Sequence, residues 1–459
     1  MAQPGYDMRR NYRIHVAQNF VPIVPYARLA LLIVWIFLEL SSHALEFNLR
    51  QIGDDAIVNR DAAIGDGGFA IWTQYDTNLV AQSIADIVVW RGGERRNLTI
   101  DYSSEFYGNA KPVVDGNAIV WIANYRDTTE PHSWVLREVP TRDEGAEEIP
   151  ALYRVEVRGN EKIFINVAET GRVYVITNEL GEVITNVVSV PLEDQVRRLP
   201  SGVTEINFWP GTGEIIRVTR DYRNDFNPSV YGRLIAYQKE KGFPFGWEIM
   251  VWDNGVNAQL TTNFYYDMAP KVHGRQVVWY GWDGYDFEIY LYDADRNVTY
   301  QITSNRYDDV SPVIWDGQIA WEGYPAIESD VFLFKDGQIQ KISESIEDDM
   351  NPRIWNGQVV WQSFDGDDFE IYYYDGSKSL KVTANDFDDT NPDIRDGIIV
   401  WMGHEGNRDA EIYAWDGRGQ PVRLTDNDDE DRDPRTAGGR IIWTVDLGGR
   451  SQVWLAEPK

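Results

Sequence analysis

The sequence predicts an all-β fold, a β-propeller of four-stranded antiparallel blades, with roughly eight or nine blades. Three observations predict it. A unit of 40 to 42 residues recurs six times, opened by Pro228, Pro270, Pro312, Pro352, Pro392 and Pro434. Nine residues after each proline stands an aromatic: Tyr237, Trp279, Trp321, Trp361, Trp401 and Trp443. Each unit holds four short extended runs separated by Gly, Asp and Asn, and none has the spacing of an amphipathic helix. One such unit cannot bury its own apolar face, so the units must pack on one another.

The first run of a unit opens on the proline, which is tolerated at the start of a strand because it need not donate a ladder bond. The second is "QVVW" at 276 and 358, "QIAW" at 318 and "IIVW" at 398. The third is "EIYLY" at 288, "DVFLF" at 330, "EIYYY" at 370 and "EIYAW" at 411, β-branched and aromatic as strands prefer. The fourth ends in "QLT", "QIT", "KIS", "KVT" or "RLT". Gly274, Gly317, Gly357 and Gly397 fill the first turn, where residues tolerant of positive φ make hairpins. A meander of four strands repeated radially is a propeller blade.

Upstream the pattern decays. Pro112 and Trp121 keep the nine-residue spacing, and "GGFAIW" ending at Trp72 is another second strand. Residues 151–211 are strand-like but out of phase, either degenerate blade or inserted hairpin. The last unit stops after its third strand, so "EFNLRQI" at 46–52 is expected to pair with 450–456 and complete it. A rival organisation closes the six regular units of 212–459 alone, with "EIIRVT" at 214 as a fourth strand, and leaves a separate N-terminal β domain.

Residues 29–38 are apolar, preceded by Arg9, Arg10, Arg13 and Arg28 and followed by "SSHA". Ten residues are too few for a span, which needs about 20. Segment 1–44 therefore reads as a secretory signal, with 45–459 as the propeller and no membrane span after cleavage. The expected location is periplasmic or extracellular. Cysteine is absent, so export brings no disulfides, and thiol nucleophiles and Cys-based zinc sites are excluded. Net charge is -30, which speaks against a nucleic-acid partner.

The acid is patterned. An aspartate stands three residues before every proline: Asp225, Asp267, Asp309, Asp349, Asp389 and Asp431, often preceded by a second acid, as in Asp308, Asp348 and Asp388. In a meander, the crossover between blades lies on the same rim as the loop joining strands two and three. That loop is also acidic, in "WDGYDFE" at 282 and "FDGDDFE" at 364. The other rim carries Arg275, Lys335, Lys378, Arg418 and Arg440, so the disc is expected to be electrostatically polar. Strict repetition favours a scaffold role, each aspartate accepting backbone N–H groups in the crossover turn. The functional reading makes Asp308, Asp309, Asp348, Asp349, Asp388 and Asp389 oxygen ligands, and Ca²⁺ is the one cofactor the sequence leaves open.

The periodic tryptophans are expected to be buried between blades. Loop aromatics Trp282, Tyr285, Tyr324 and Phe364 are the candidates for contact with a partner. Beyond the signal only His132, His273 and His404 remain, without metal spacing, and no G-x-S-x-G elbow is present, so catalysis finds little support.

The stretches "VSPVIWDGQIAW" (310–321) and "EIYYYDGSKSLKVT" (370–383) resemble the TolB-type propeller repeat. Ser311, Pro312, Gly317, Ile319, Ala320 and Trp321 carry the likeness, with Ile371, Tyr372, Val382 and Thr383. It covers 212–459 well and 53–150 loosely. The resemblance implies an exported propeller that binds other macromolecules; it does not extend to TolB itself, whose α/β domain has no counterpart here. The function expected is a binding scaffold recognising a protein or polysaccharide through rim loops, with a propeller-based polysaccharide lyase or hydrolase as the alternative.

Overall fold

A computed structural model places eight four-stranded antiparallel blades in one ring. It describes residues 45–53, 58–75, 85–99, 106–125, 204–220, 223–241, 246–263, 265–405 and 409–459, and short strands at 153–158, 161–166, 176–177 and 183–184. The signal expected at 1–44 lies outside the described residues, and the chain divides between Ala44 and Leu45.

Blade 1 opens with Val58–Ile64 and blade 2 with Phe106–Asp115. Blades 3 to 7 open with Asp225–Tyr231, Asp267–His273, Asp309–Trp315, Asp349–Trp355 and Asp389–Arg395. Blade 8 opens with Glu430–Ala437. Eight apolar clusters hold the ring, one between each pair of neighbours. The cluster of Trp72, Val88 and Trp90 with Ile442, Val453 and Leu455 joins blade 8 back to blade 1. The six-bladed alternative and a ninth blade are both overturned by this closure. "EIIRVT" supplies Ile216–Arg217, the outer strand of blade 2, and not the edge of a smaller ring. Blade 2 is interrupted: Ala118–Tyr125 pairs with Thr204–Trp209, and everything from 126 to 203 is inserted between these second and third strands. Within it, Tyr153–Arg158 and Glu161–Asn166 form a hairpin.

The closing strand is Phe47–Gln51, as expected, but its partner residues differ. It pairs with the far end of Ser451–Pro458, from Phe47 opposite Pro458 to Gln51 opposite Trp454. The shift from 450–456 arises because the third strand runs almost to the end of the chain, where Arg50 meets Glu457 at 2.7 Å and the Lys459 N–H donates to the Glu46 carbonyl at 3.0 Å. Blade 8 is also tied to blade 1 at Asn59, whose Nδ2 donates to the Ser451 carbonyl at 2.6 Å. Deleting Phe47–Gln51 removes the apolar cover of Phe47, releases Leu45 from its anchored place beside the same cluster and uncovers a strand edge. We expect a loss of about 2 kcal/mol by calorimetry and concentration-dependent association by gel filtration.

Each first strand carries a bulge at one place. The residue before the proline position (Asp61, Lys111, Asn227, Ala269, Ser311, Asn351, Asn391 and Asp433) has φ between 48° and 56°. Its N–H is taken by the second strand of the preceding blade where Asn351 donates to Glu322 Oε1 (2.8 Å) and Asn391 to Gln362 Oε1 (3.0 Å). Left-handed backbone at a non-glycine residue is unfavourable on its own, so the bulge is sustained by these contacts between blades.

The periodic tryptophans are buried, Trp279, Trp321, Trp361, Trp401 and Trp443 all at 0–1% exposure. Their partners correct the expected role of the aspartates. The indole Nε1 of Trp321 donates to Asp309 Oδ1 at 2.7 Å, that of Trp361 to Asp349 at 2.9 Å and that of Trp401 to Asp389 at 2.8 Å. The same bond joins Trp279 to Asp267 and Trp443 to Asp431. Asn305, Asn385 and Asn427, four residues earlier, donate to the second carboxylate oxygen. The proline-minus-three aspartate thus sits inside, where a turn cap would be outside. Gly323 follows from this: a Cβ there would come within 2.6 Å of Asp309 Oδ1. Turn capping falls to Asn305, Asn385 and Asn427, whose Oδ1 accepts the N–H two residues on, at Tyr307, Phe387 and Asp429, while the preceding acid ties the crossover to the third strand of the blade before it. Asp308 accepts the Phe287 N–H (3.0 Å), Asp348 the Ser329 N–H (2.9 Å) and Asp388 the Phe369 N–H (3.0 Å).

Candidate functional site on the crossover rim

A meander sends its crossovers and its second-to-third-strand loops to one rim. The most exposed large apolar side chains among the described residues all stand there: Ile327 at 90%, Tyr285 at 88% and Ile346 at 87%. Tyr265 and Tyr266, in the crossover entering blade 4, are also exposed, and the Tyr265 hydroxyl lies beside Gly284 in the Tyr285 loop. These five residues belong to blades 4 and 5 and the crossovers flanking them. The four loop aromatics chosen from sequence separate here. Tyr285 is free. Trp282 is half-buried edge-on to Phe287 (5.2 Å between ring centres), Phe364 is half-buried against Phe369 (5.3 Å), and Tyr324 is half-buried with its phenol pKa raised by burial.

The six aspartates chosen as ligand candidates do not gather. Asp309, Asp349 and Asp389 spend oxygens on tryptophan indoles and Asp308, Asp348 and Asp388 on backbone N–H groups. Among the described residues two other carboxylate groups do gather on this rim, Asp283 with Asp286 and Glu288, and Asp365 with Asp368 and Glu370. In each, one ligand atom per residue lies within 4.8 Å of the others. They share a local design. Asp283 Oδ1 accepts the Tyr285 N–H (2.8 Å), and Gly284 at φ 113° lets the loop return so that the Asp283 N–H reaches the Asp286 carbonyl at 3.0 Å. Burial raises the pKa of Asp286, with Asp283 and Asp308 adding to it, and pushes Asp368 up to about 6 with help from Glu370 and Asp365. The sequence pattern D-G-x-D-F-E marked both loops; what it could not show is that all three acids of each converge.

The channel presents the residue after the proline position. Lys271, Arg353, Asp393 and Arg435 occupy it in blades 4, 6, 7 and 8. Lys271 is open to water yet enclosed by the ring, and desolvation, then Arg353 and Arg435, lower its ammonium pKa to about 8. Arg353 and Arg435 each donate to the carbonyl of the preceding proline. Asp393 accepts the Thr436 N–H at 2.9 Å. Among the described residues no histidine joins this set.

The opposite rim is mixed rather than basic. Arg275 is bound by Asp253 and Asp295, its Nη2 at 2.8 Å from the first. At that end of the first strands Tyr231, His273, Trp315 and Trp355 form an arc, with ring centres 4.7, 4.2 and 6.3 Å apart and the Arg395 guanidinium 4.3 Å above Trp315. The sequence reading passed over Trp315 and Trp355, although both end a first strand in consecutive repeats.

No protein-family model matches the chain, and no curated protein does. Solved structures do share the fold. The β-propeller domain of the Trilobed protease from Pyrococcus furiosus is 11% identical over 76% of this chain and 93% of that one, with a TM-score of 0.45. A putative TolB from Agrobacterium tumefaciens is 14% identical over 54% and 95%, with a TM-score of 0.35. An oligogalacturonate lyase solved in complex with manganese is 14% identical over 56% and 84%, with a TM-score of 0.40. At such identities the likeness is one of fold, and the activities of these proteins stay with them.

Proposed function

We propose that this chain is an exported binding scaffold of TolB-type repeats, whose crossover rim around blades 4 and 5 docks a protein bearing a basic, partly apolar face. The observation that carries this is the grouping of Tyr265, Tyr266, Tyr285, Ile327 and Ile346 on one rim among carboxylates. Apolar side chains left almost wholly in water and ringed by charge are the usual surface of an interaction site. Branched aliphatic side chains such as Ile327 and Ile346 offer no flat face to a sugar ring, and the surrounding acids repel acidic polysaccharides. Both features favour a protein over a polysaccharide. The acids also speed encounter with a basic partner and make association salt-dependent.

Photo-crosslinking tests this in cells producing the full chain, with benzoylphenylalanine placed at Tyr285, at Ile327 and at Val256, which is exposed on an outer strand. Discrete adducts are expected from the first two positions and not from Val256. No adduct from the rim, or equal adducts from all three, would count against the reading. The alternative, a polysaccharide lyase or hydrolase, draws on the charged channel set of Lys271, Arg353, Asp393 and Arg435. It requires new reducing ends from an acidic polysaccharide and their loss in Lys271→Ala; the scaffold reading requires none from either protein.

A further inference from the structure

We infer that Asp283, Asp286 and Glu288 form a Ca²⁺ site in blade 4. The argument starts from the third strand, which carries a buried acid at one register position in most blades. Each buried acid has a basic partner except one. Glu205 in blade 2 has Arg217 at 3.5 Å, Glu248 in blade 3 has Lys241 at 2.7 Å, and Asp330 in blade 5 has Lys341 at 2.5 Å. Glu370 in blade 6 has Lys381 at 3.3 Å, and Glu411 in blade 7 has Arg423 at 2.8 Å. In blade 1 the half-buried Asp86 takes Asn97 and Thr99, and blade 8 has the neutral Gln452. Glu288 in blade 4 is fully buried and has no basic group among the described residues.

Blade 6 is the internal control. Its triad of Asp365, Asp368 and Glu370 has the same loop, and the Lys381 ammonium sits 2.8 Å from Asp365 and 3.3 Å from Glu370. Lys381 lies opposite Tyr372 on the outer strand; the residue opposite Tyr290 in blade 4 is Gln301. Blade 4 thus has all three acids without the lysine. A second observation is independent of the count of acids. Asp286 is more than nine-tenths buried, its Oδ1 has no hydrogen-bond partner, and the residue belongs to the gathered group together with the buried Glu288; its blade 6 counterpart Asp368 has no such orphaned oxygen. A buried, unpaired carboxylate oxygen is costly unless something compensates it. Three carboxylates supply several of the 6–8 oxygens Ca²⁺ takes, and the exposed Asp283 side leaves room for water as the remainder. Mg²⁺, which demands octahedral geometry and keeps its water, is the poorer match. The inference stands apart from the proposed partner, although the bound ion would fix the loop that presents Tyr285.

Isothermal titration of the full, chelator-treated chain with CaCl₂ and with MgCl₂ tests it. One saturable Ca²⁺ site is expected, weakened at least tenfold by Asp283→Asn. Gln301→Lys should abolish Ca²⁺ binding while raising the melting temperature in chelator, since the ammonium replaces the ion. Lys381→Gln should raise the stoichiometry from one to two. Absence of saturable binding, or binding undiminished in both Asp283→Asn and Gln301→Lys, would overturn the site. Equal affinity for Mg²⁺ would overturn the assignment to Ca²⁺.

Discussion

Replacing Trp361 by alanine is expected to cost at least about 3–5 kcal/mol, the range for deleting a large buried aromatic. The indole is wholly buried in the cluster between blades 5 and 6, with Val359, Ile354 and Leu333. It stacks on Tyr372 with ring centres 5.9 Å apart. Its loss also deprives the buried Asp349 of a donor, and an abandoned buried acceptor adds about 1–3 kcal/mol. Trp361→Phe keeps most of the volume but not the N–H, so the difference between the two variants isolates the hydrogen bond. Chemical denaturation monitored by tryptophan fluorescence and circular dichroism reads both. A loss under 1 kcal/mol in Trp361→Ala would mean that the blades do not depend on these wedges.

The second large effect is on pH. Burial raises the carboxyl pKa of Asp267 to about 6 and those of Asp309, Asp389 and Asp431 to about 7, against 3.8 unperturbed; the tryptophan, asparagine and threonine donors around them offset this only in part. Between about pH 4 and pH 7 the folded chain therefore holds protons that the unfolded chain has released. Stability must fall as pH rises through that window and level off above it. Each such carboxyl accounts for something on the order of a few kcal/mol across the window. Calorimetry at pH 5.5 and pH 8 should give the higher melting temperature at the lower pH. Self-repulsion of a chain with net charge -30 acts in the same direction, so a matched pair separates the two causes. Asp389→Asn and the exposed Asp428→Asn remove the same charge, and only the first should flatten the pH slope. Blade 2 already makes this replacement, Asn109 Oδ1 accepting the Trp121 indole at 2.8 Å. A melting temperature that rises with pH would refute the assignment.

The ring was legible because its markers follow from geometry and recur in most blades: a proline where no ladder donor is needed and an aromatic, usually tryptophan, at the wedge between blades. Blade 2 escaped because its third strand, Thr204–Trp209, is separated from its second by the insertion, so the period breaks although the sheet does not. The buried aspartates were misread for a related reason. Their fixed spacing of twelve residues from the tryptophan was visible, but a carboxylate on a strand end suggests solvent until a hydrogen-bonded indole is found beside it. At the candidate site, Tyr285 could be picked from its loop. The difference between Gln301 and Lys381 had no meaning until strand register set each opposite its tyrosine.

The pairing that closes the ring also fixes how the molecule answers to force. Phe47 lies opposite Pro458, so Leu45 and Lys459 leave the same end of one antiparallel strand pair. Tension applied between Leu45 and Lys459 would pull across that pair and part its hydrogen bonds one after another, as a zipper opens. It would not load them together in shear. The propeller is thus mechanically weakest at the seam that completes it, and strand peeling there would precede any separation of blades.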